Sequence, residues 1–119
     1  MELKELYEKI GGNYDEVVKR LMNPGMVARF VKKFPDDPSM QQLLEGVKEG
    51  DIEKSFRGAH TLKSIAGVLS FTKLYEVAVA QTEQLRPRLE QADPALLDAV
   101  KAEYKLTLKA VNEYIESLV

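Results

Sequence analysis

Ala59-His60-Thr61-Leu62-Lys63-Ser64 lies in the middle of a segment, about residues 51–69, whose reading decides the fold. Turned through about 100° per residue, this segment gathers Ile52, Phe56, Ala59, Leu62, Ala66 and Leu69 into one apolar arc. That period predicts a core-facing amphipathic helix. His60 is the single histidine of the 119 residues, and it falls roughly 120° from the centre of the arc, at its wet edge. Arg57 precedes it by three positions, while Lys63, Ser64 and Gly67 follow at three, four and seven, so all four share a ridge with the imidazole.

Outward from that helix, caps and prolines divide the chain. Leu3, Leu6, Tyr7 and Ile10 repeat at helical spacing and stop at Gly11-Gly12, which predicts a short covering helix. Asn13 is placed to cap the next segment, with Val17, Val18, Leu21 and Met22 as its stripe. Asn23-Pro24 opens a helix carrying Val27, Phe30, Val31 and Phe34, and Pro35 ends it. A further helix starts at Asp37-Pro38 or Ser39, with Met40, Leu43, Leu44 and Val47 inward and Gly50 closing it, and Asp51 caps the histidine helix.

After a turn at Ser70-Phe71-Thr72, in which Ser70 is read as the N-cap, Leu74, Ala78, Gln81, Leu85 and Leu89 continue at helical spacing. Pro87 predicts a kink or termination near Arg86. Asp93-Pro94 opens the last helix, where Leu97, Val100, Tyr104, Leu108, Val111, Ile115 and Leu118 form a bundle-type seam. Phe30, Phe34, Phe56 and Tyr104 are read as core aromatics.

No segment alternates as a strand does, and the connections are short, so successive long helices should be antiparallel neighbours. The predicted fold is all-α: an up-and-down antiparallel four-helix bundle with short N-terminal covering helices. The length suits one domain spanning residues 1–119, and 45% hydrophobic residues suffice for its core.

Composition excludes several function classes. There are no cysteines, hence no disulfides, thiolate metal sites or cysteine nucleophile. A net charge of −2 offers no long-range field for nucleic acid. No apolar run approaches transmembrane length, and Met1-Glu2-Leu3-Lys4-Glu5 lacks the apolar region of a signal peptide. A cytoplasmic location is expected. Metal binding at His60 lacks a second His or Cys, and attachment of the last helix to a membrane surface would consume the seam that closes the bundle.

The chemistry then rests on His60. A neutral imidazole has a nucleophilic nitrogen near pH 7, and a lysine one turn away offers charge to an anion received there. Phosphoryl transfer asks for little more than alignment, access and cations. A lone helical histidine near a lysine is nevertheless a common surface arrangement in a chain with 30% charged residues.

The wider pattern is more specific. Ala59-His60-Thr61-Leu62-Lys63, followed by Ser64-Ile65-Ala66-Gly67-Val68-Leu69-Ser70-Phe71 and Leu74-Tyr75-Glu76, resembles the histidine-containing phosphotransfer (HPt) family. That family's motif is His-x-x-Lys-Gly, then small residues and a Gly-aromatic or Gly-Leu turn. Phe34-Pro35-Asp36-Asp37-Pro38 and Glu49-Gly50-Asp51-Ile52 also look like family features. The resemblance implies that His60 accepts the phosphoryl group and that Lys63 neutralises it. Ser64 and Ser70 stand where the family has glycine. The position from which some relatives orient the imidazole with Glu or Gln matches Thr82, with Gln81 and Glu83 beside it, which leaves the orienting residue open.

The expected function is that of a relay intermediate. His60 takes a phosphoryl group from the aspartate of a response-regulator receiver domain, or from that of a hybrid sensor histidine kinase, and passes it on. Arg57, Ser64 and Gly67 would form the docking surface. Magnesium would belong to the receiver, because one carboxylate, Glu53, is a poor site for it, and no cofactor of the chain's own is expected. No Gly-rich phosphate loop is present, so self-phosphorylation from ATP is not expected. The alternative is a non-phosphorylated helical adaptor that binds a receiver or kinase without transfer, Ser64 blocking or weakening it. With one seam per helix, a monomer is expected.

Overall fold

The computed structural model describes residues 1–119, all of the regular structure being helical. Helices α1 (Leu3–Ile10), α2 (Tyr14–Leu21) and α3 (Pro24–Lys33) lead through a 3-10 turn (Phe34–Asp36) into α4 (Ser39–Glu49), α5 (Ile52–Val68), α6 (Thr72–Leu85) and α7 (Pro94–Glu116). Helices α4 to α7 pack in sequence as the four-helix bundle, while α1 lies on α7 and α2 against α3.

The helix starts follow the sequence. Asn13, Asn23, Asp51 and Asp93 each accept a bond from the backbone N–H three residues on, the cap that satisfies an otherwise orphaned donor. Pro24 and Pro94 occupy the first turn, where a missing N–H costs nothing. Helix α6 ends at Leu85, ahead of Pro87.

Helices α4 and α5 meet through small residues. A Cβ added at Gly58 would lie 2.8 Å from Leu43 Cα, and one at Gly46 would lie 2.8 Å from Ser55 Cα. Ser39 and Ser55 are buried in the same contact. Backbone thus replaces side-chain volume at this interface, which holds α5 close to α4.

Beneath the α5–α6 turn an aromatic chain fills the core. Tyr104, Phe34, Phe71 and Tyr7 follow one another at centroid spacings of 5.6, 5.3 and 5.5 Å. Tyr7 Oη donates to the Leu69 carbonyl at 2.7 Å, so the covering helix α1 is bonded to the end of α5.

Several outer positions differ from the periodic reading. Met22 is 84% exposed with a left-handed φ of 78°, because it follows the last residue of α2 and leaves the helical face. Leu89 is 83% exposed in the loop after α6, and Leu118 lies beyond the end of α7. Phe30 and Leu44 are at the surface, where they line shallow grooves instead of the core. The α7 seam is wider than the one read from leucine and valine, since Thr107, Ala110 and Tyr114 are also buried.

Ser70 is not the N-cap of α6. It has φ +55° and follows the last residues of α5 as the left-handed residue of a Schellman motif, in which Phe71 N–H donates to the Ala66 carbonyl at 2.9 Å and Ser70 N–H to that of Gly67 at 3.2 Å. Its hydroxyl donates to Glu16 at 2.6 Å and accepts from Arg20 at 2.7 Å. Arg20 also donates to the Gly67 and Val68 carbonyls, which places a guanidinium at the negative end of α5.

Candidate functional site

His60 stands in the middle of α5, one residue from buried Ala59 and two from buried Leu62, and is itself exposed. The register that buries the apolar arc therefore leaves the imidazole facing outward. On one side its ring lies 5.6 Å from that of Phe56, inclined at 31°. Lys63 follows one turn on and is half-buried.

The remaining ridge residues have defined partners. Ser64 Oγ donates to the His60 carbonyl at 3.1 Å, so its hydroxyl is engaged with the helix rather than free for an incoming anion. Arg57 is 67% exposed at its side chain and donates to Glu53 at 3.1 Å. Gly67 faces the Tyr75 ring, whose Cε1 would lie 3.1 Å from an added Cβ. Its carbonyl accepts from Arg20, so Gly67 also serves the end of the helix.

The three residues considered as orienters separate. Thr82 is buried and donates to the Ala78 carbonyl at 2.7 Å. Gln81 is buried too, its amide donating to Gln84 at 2.7 Å. Both point into the bundle, so neither holds the imidazole. Glu83 is on the outer side: its carboxyl is held below the ordinary range chiefly by its hydrogen bond to Arg86, with smaller contributions from the charges of Lys63 and His60.

Sequence reasoning missed Arg86 and Arg88. The Arg88 guanidinium lies 3.4 Å from the Phe56 ring centroid and donates to Glu53 at 2.9 Å, while Arg86 lies 5.4 Å from the same ring. The signal was present in the topology. In an antiparallel pair turned near residues 69–71, positions equally far from the turn face one another, which sets Glu53 opposite Arg88 and His60 opposite Gln81-Thr82. An apolar groove was also missed: about 600 Å³ between α3 and α5, it is lined by Phe30, Phe34, Ile65 and Val68 and reaches Ser64.

The family model described as Hpt domain matches residues 25–116. The chain belongs to the Hpt domain family. The match runs from the start of α3 to the end of α7, leaving α1 and α2 outside it. No curated protein and no solved structure matches the chain. Membership connects this Hpt domain to phosphotransfer in two-component phosphorelays, in which such domains are carriers that work with receiver domains and kinases. No helix of the domain is long and apolar enough to cross a membrane. The carboxylates of the His60 face, Glu53 and Glu83, are both engaged by arginines, and nowhere do three His, Cys, Asp or Glu side chains gather as a metal site would require.

Proposed function

We propose that residues 1–119 form one monomeric Hpt domain that carries a phosphoryl group on His60 between receiver domains in the cytoplasm, those of a hybrid sensor histidine kinase included. The observation that carries this reading is the placement of the chain's single imidazole. It is exposed at mid-helix, on the outer face of the bundle, with Lys63 one turn away.

In the first half-reaction a neutral His60 ring nitrogen attacks the phosphorus of the receiver's aspartyl phosphate. The N–P bond forms as the acyl oxygen–phosphorus bond breaks, the aspartate leaves as a carboxylate, and the other ring nitrogen keeps its proton. The reverse exchange on a second receiver completes the relay. Lys63 offers its ammonium to the phosphoryl oxygens, whose charge needs stabilising at the loose transition state. Arg57, Ser64 and Gly67 lie on the ridge that meets the receiver. The divalent ion is the receiver's, because the acidic side chains of this face are already paired with arginines.

A two-receiver experiment tests the relay. A receiver carrying labelled phosphate is mixed with the protein, the protein is re-isolated, and a second receiver is added. A carrier yields label on the second receiver. Binding to both receivers with label on neither the protein nor the second receiver would instead support the adaptor.

A further inference from the structure

Arg88 carries more interactions than a loop residue needs. It follows α6 in the left-handed conformation, φ +56°, which is strained for a side chain other than glycine or asparagine. Three contacts hold it there. Its guanidinium lies over the Phe56 ring at 3.4 Å, its Nε donates to Glu53 at 2.9 Å, and its Nη1 donates to the Arg86 carbonyl at 2.7 Å. Phe56 is also the ring beside His60, at 5.6 Å. Through that shared ring, 3.4 Å from one and 5.6 Å from the other, the guanidinium carbon lies within about 9 Å of the imidazole centre.

We propose that Arg88 is a second phosphoryl-binding cation: it rests on Glu53 and Phe56 while His60 is free, and moves to the phosphoryl oxygens when His60 is phosphorylated. This rests on the reading of His60 as the phosphoryl carrier. A phosphoryl group brings more negative charge than one carboxylate and three acceptor oxygens suited to a planar guanidinium. Glu53 is not stranded by the exchange, because Arg57 also donates to it at 3.1 Å. Letting go of the ring removes one of the contacts that hold the strained backbone of residue 88. Arg86 lacks that freedom, since two of its nitrogens are bonded to Glu83, which no other arginine or lysine bridges.

The test uses the whole chain labelled with nitrogen-15, phosphorylated by phosphoramidate, whose phosphoryl group passes from its nitrogen to the imidazole as ammonia leaves. The phosphorus-31 spectrum reports the phosphohistidine, and the Arg88 Nε–Hε resonance, assigned with Arg88→Lys, reports the guanidinium. In the free protein this resonance carries the ring-current shift of Phe56. The expected result is that phosphorylation removes that shift, and that Glu53 keeps its Arg57 contact. Phosphohistidine on His60 with the Arg88 resonance unmoved would overturn the proposal and leave Arg88 as a strap between loop and helix. Absence of any phosphohistidine signal would overturn the reading of His60 itself, and this inference with it.

Discussion

His60 owes its availability to the neighbours that are buried. Ala59 and Leu62 fix the rotation of α5, and the imidazole follows outward as a consequence of the helical period. This part of the site was legible in the sequence, because period and spacing are local properties; so was Lys63 at the next turn. The proposed work of Lys63 predicts that Lys63→Ala slows transfer by about 10- to 100-fold, the loss of roughly 1.4 to 2.7 kcal/mol of transition-state stabilisation, with thermal stability unchanged. Ser64→Gly removes the bond to the His60 carbonyl and places glycine inside a helix, at a cost of about 0.5–1 kcal/mol. A lower melting temperature together with faster transfer is expected, since the hydroxymethyl group beside the imidazole is gone. Stopped-flow transfer and calorimetry on the same sample separate the two effects. Arg88 was legible only through the topology: residues 86–90 carry no local mark of a guanidinium that crosses to another helix, and only the antiparallel pairing of α5 with the segment after the turn sets Arg88 opposite Glu53.

Among the elements, the α4–α5 contact is the most sensitive to volume. Gly58→Ala gains helix propensity but sets a methyl group against Leu43 backbone, 2.8 Å from its Cα, and overpacking of this kind costs about 1–3 kcal/mol. Gly67→Ala meets only the edge of the partly exposed Tyr75 ring, which can move, so it is expected to be neutral or slightly stabilising. Urea unfolding of the two variants checks the contrast. The turn after α5 makes a second one. Ser70→Ala keeps the left-handed strain and loses the bonds to Glu16 and Arg20, whereas Ser70→Gly loses the bonds but relieves the strain. The alanine variant should be less stable than the glycine variant by about 1 kcal/mol. Serine in a turn reads from sequence as an N-cap, and only the paired bonds of Phe71 and Ser70 back to α5 show that it closes one helix instead of opening the next. Helix starts were legible because Asn-Pro and Asp-Pro announce them. The surface positions of Phe30 and Leu44 were not, because a helical stripe does not show how wide a neighbouring helix will cover it.

For the whole molecule, charge sets the pH range of stability. Glu16 has its pKa lowered from 4.5, first by the Ser70 hydroxyl and then by Arg20, and Glu53 is lowered first by Arg88. A carboxyl whose folded pKa lies below its unfolded one stabilises fully above the unfolded value and loses that contribution as pH falls through the folded value. Stability should therefore decline below about pH 4.5, and Glu16→Gln should flatten that decline. Burial raises the Tyr7 pKa above its ordinary 10, and the opposite sign applies: its contribution is complete below pH 10 and is lost as pH rises beyond it. Denaturant midpoints measured across pH would show a plateau between these limits. The four-helix bundle could be foreseen from short connections between long periodic helices, whereas the small-residue interface and the arginines around Phe56 are tertiary properties that no single segment carries. The central claim is that His60 receives the phosphoryl group, and one transfer measures it: a receiver charged with labelled acetyl phosphate is mixed with the wild-type protein and with His60→Gln. Label that is acid-labile on the wild type and missing from the variant is the predicted result. Label of equal amount on both proteins, or on neither, would contradict it.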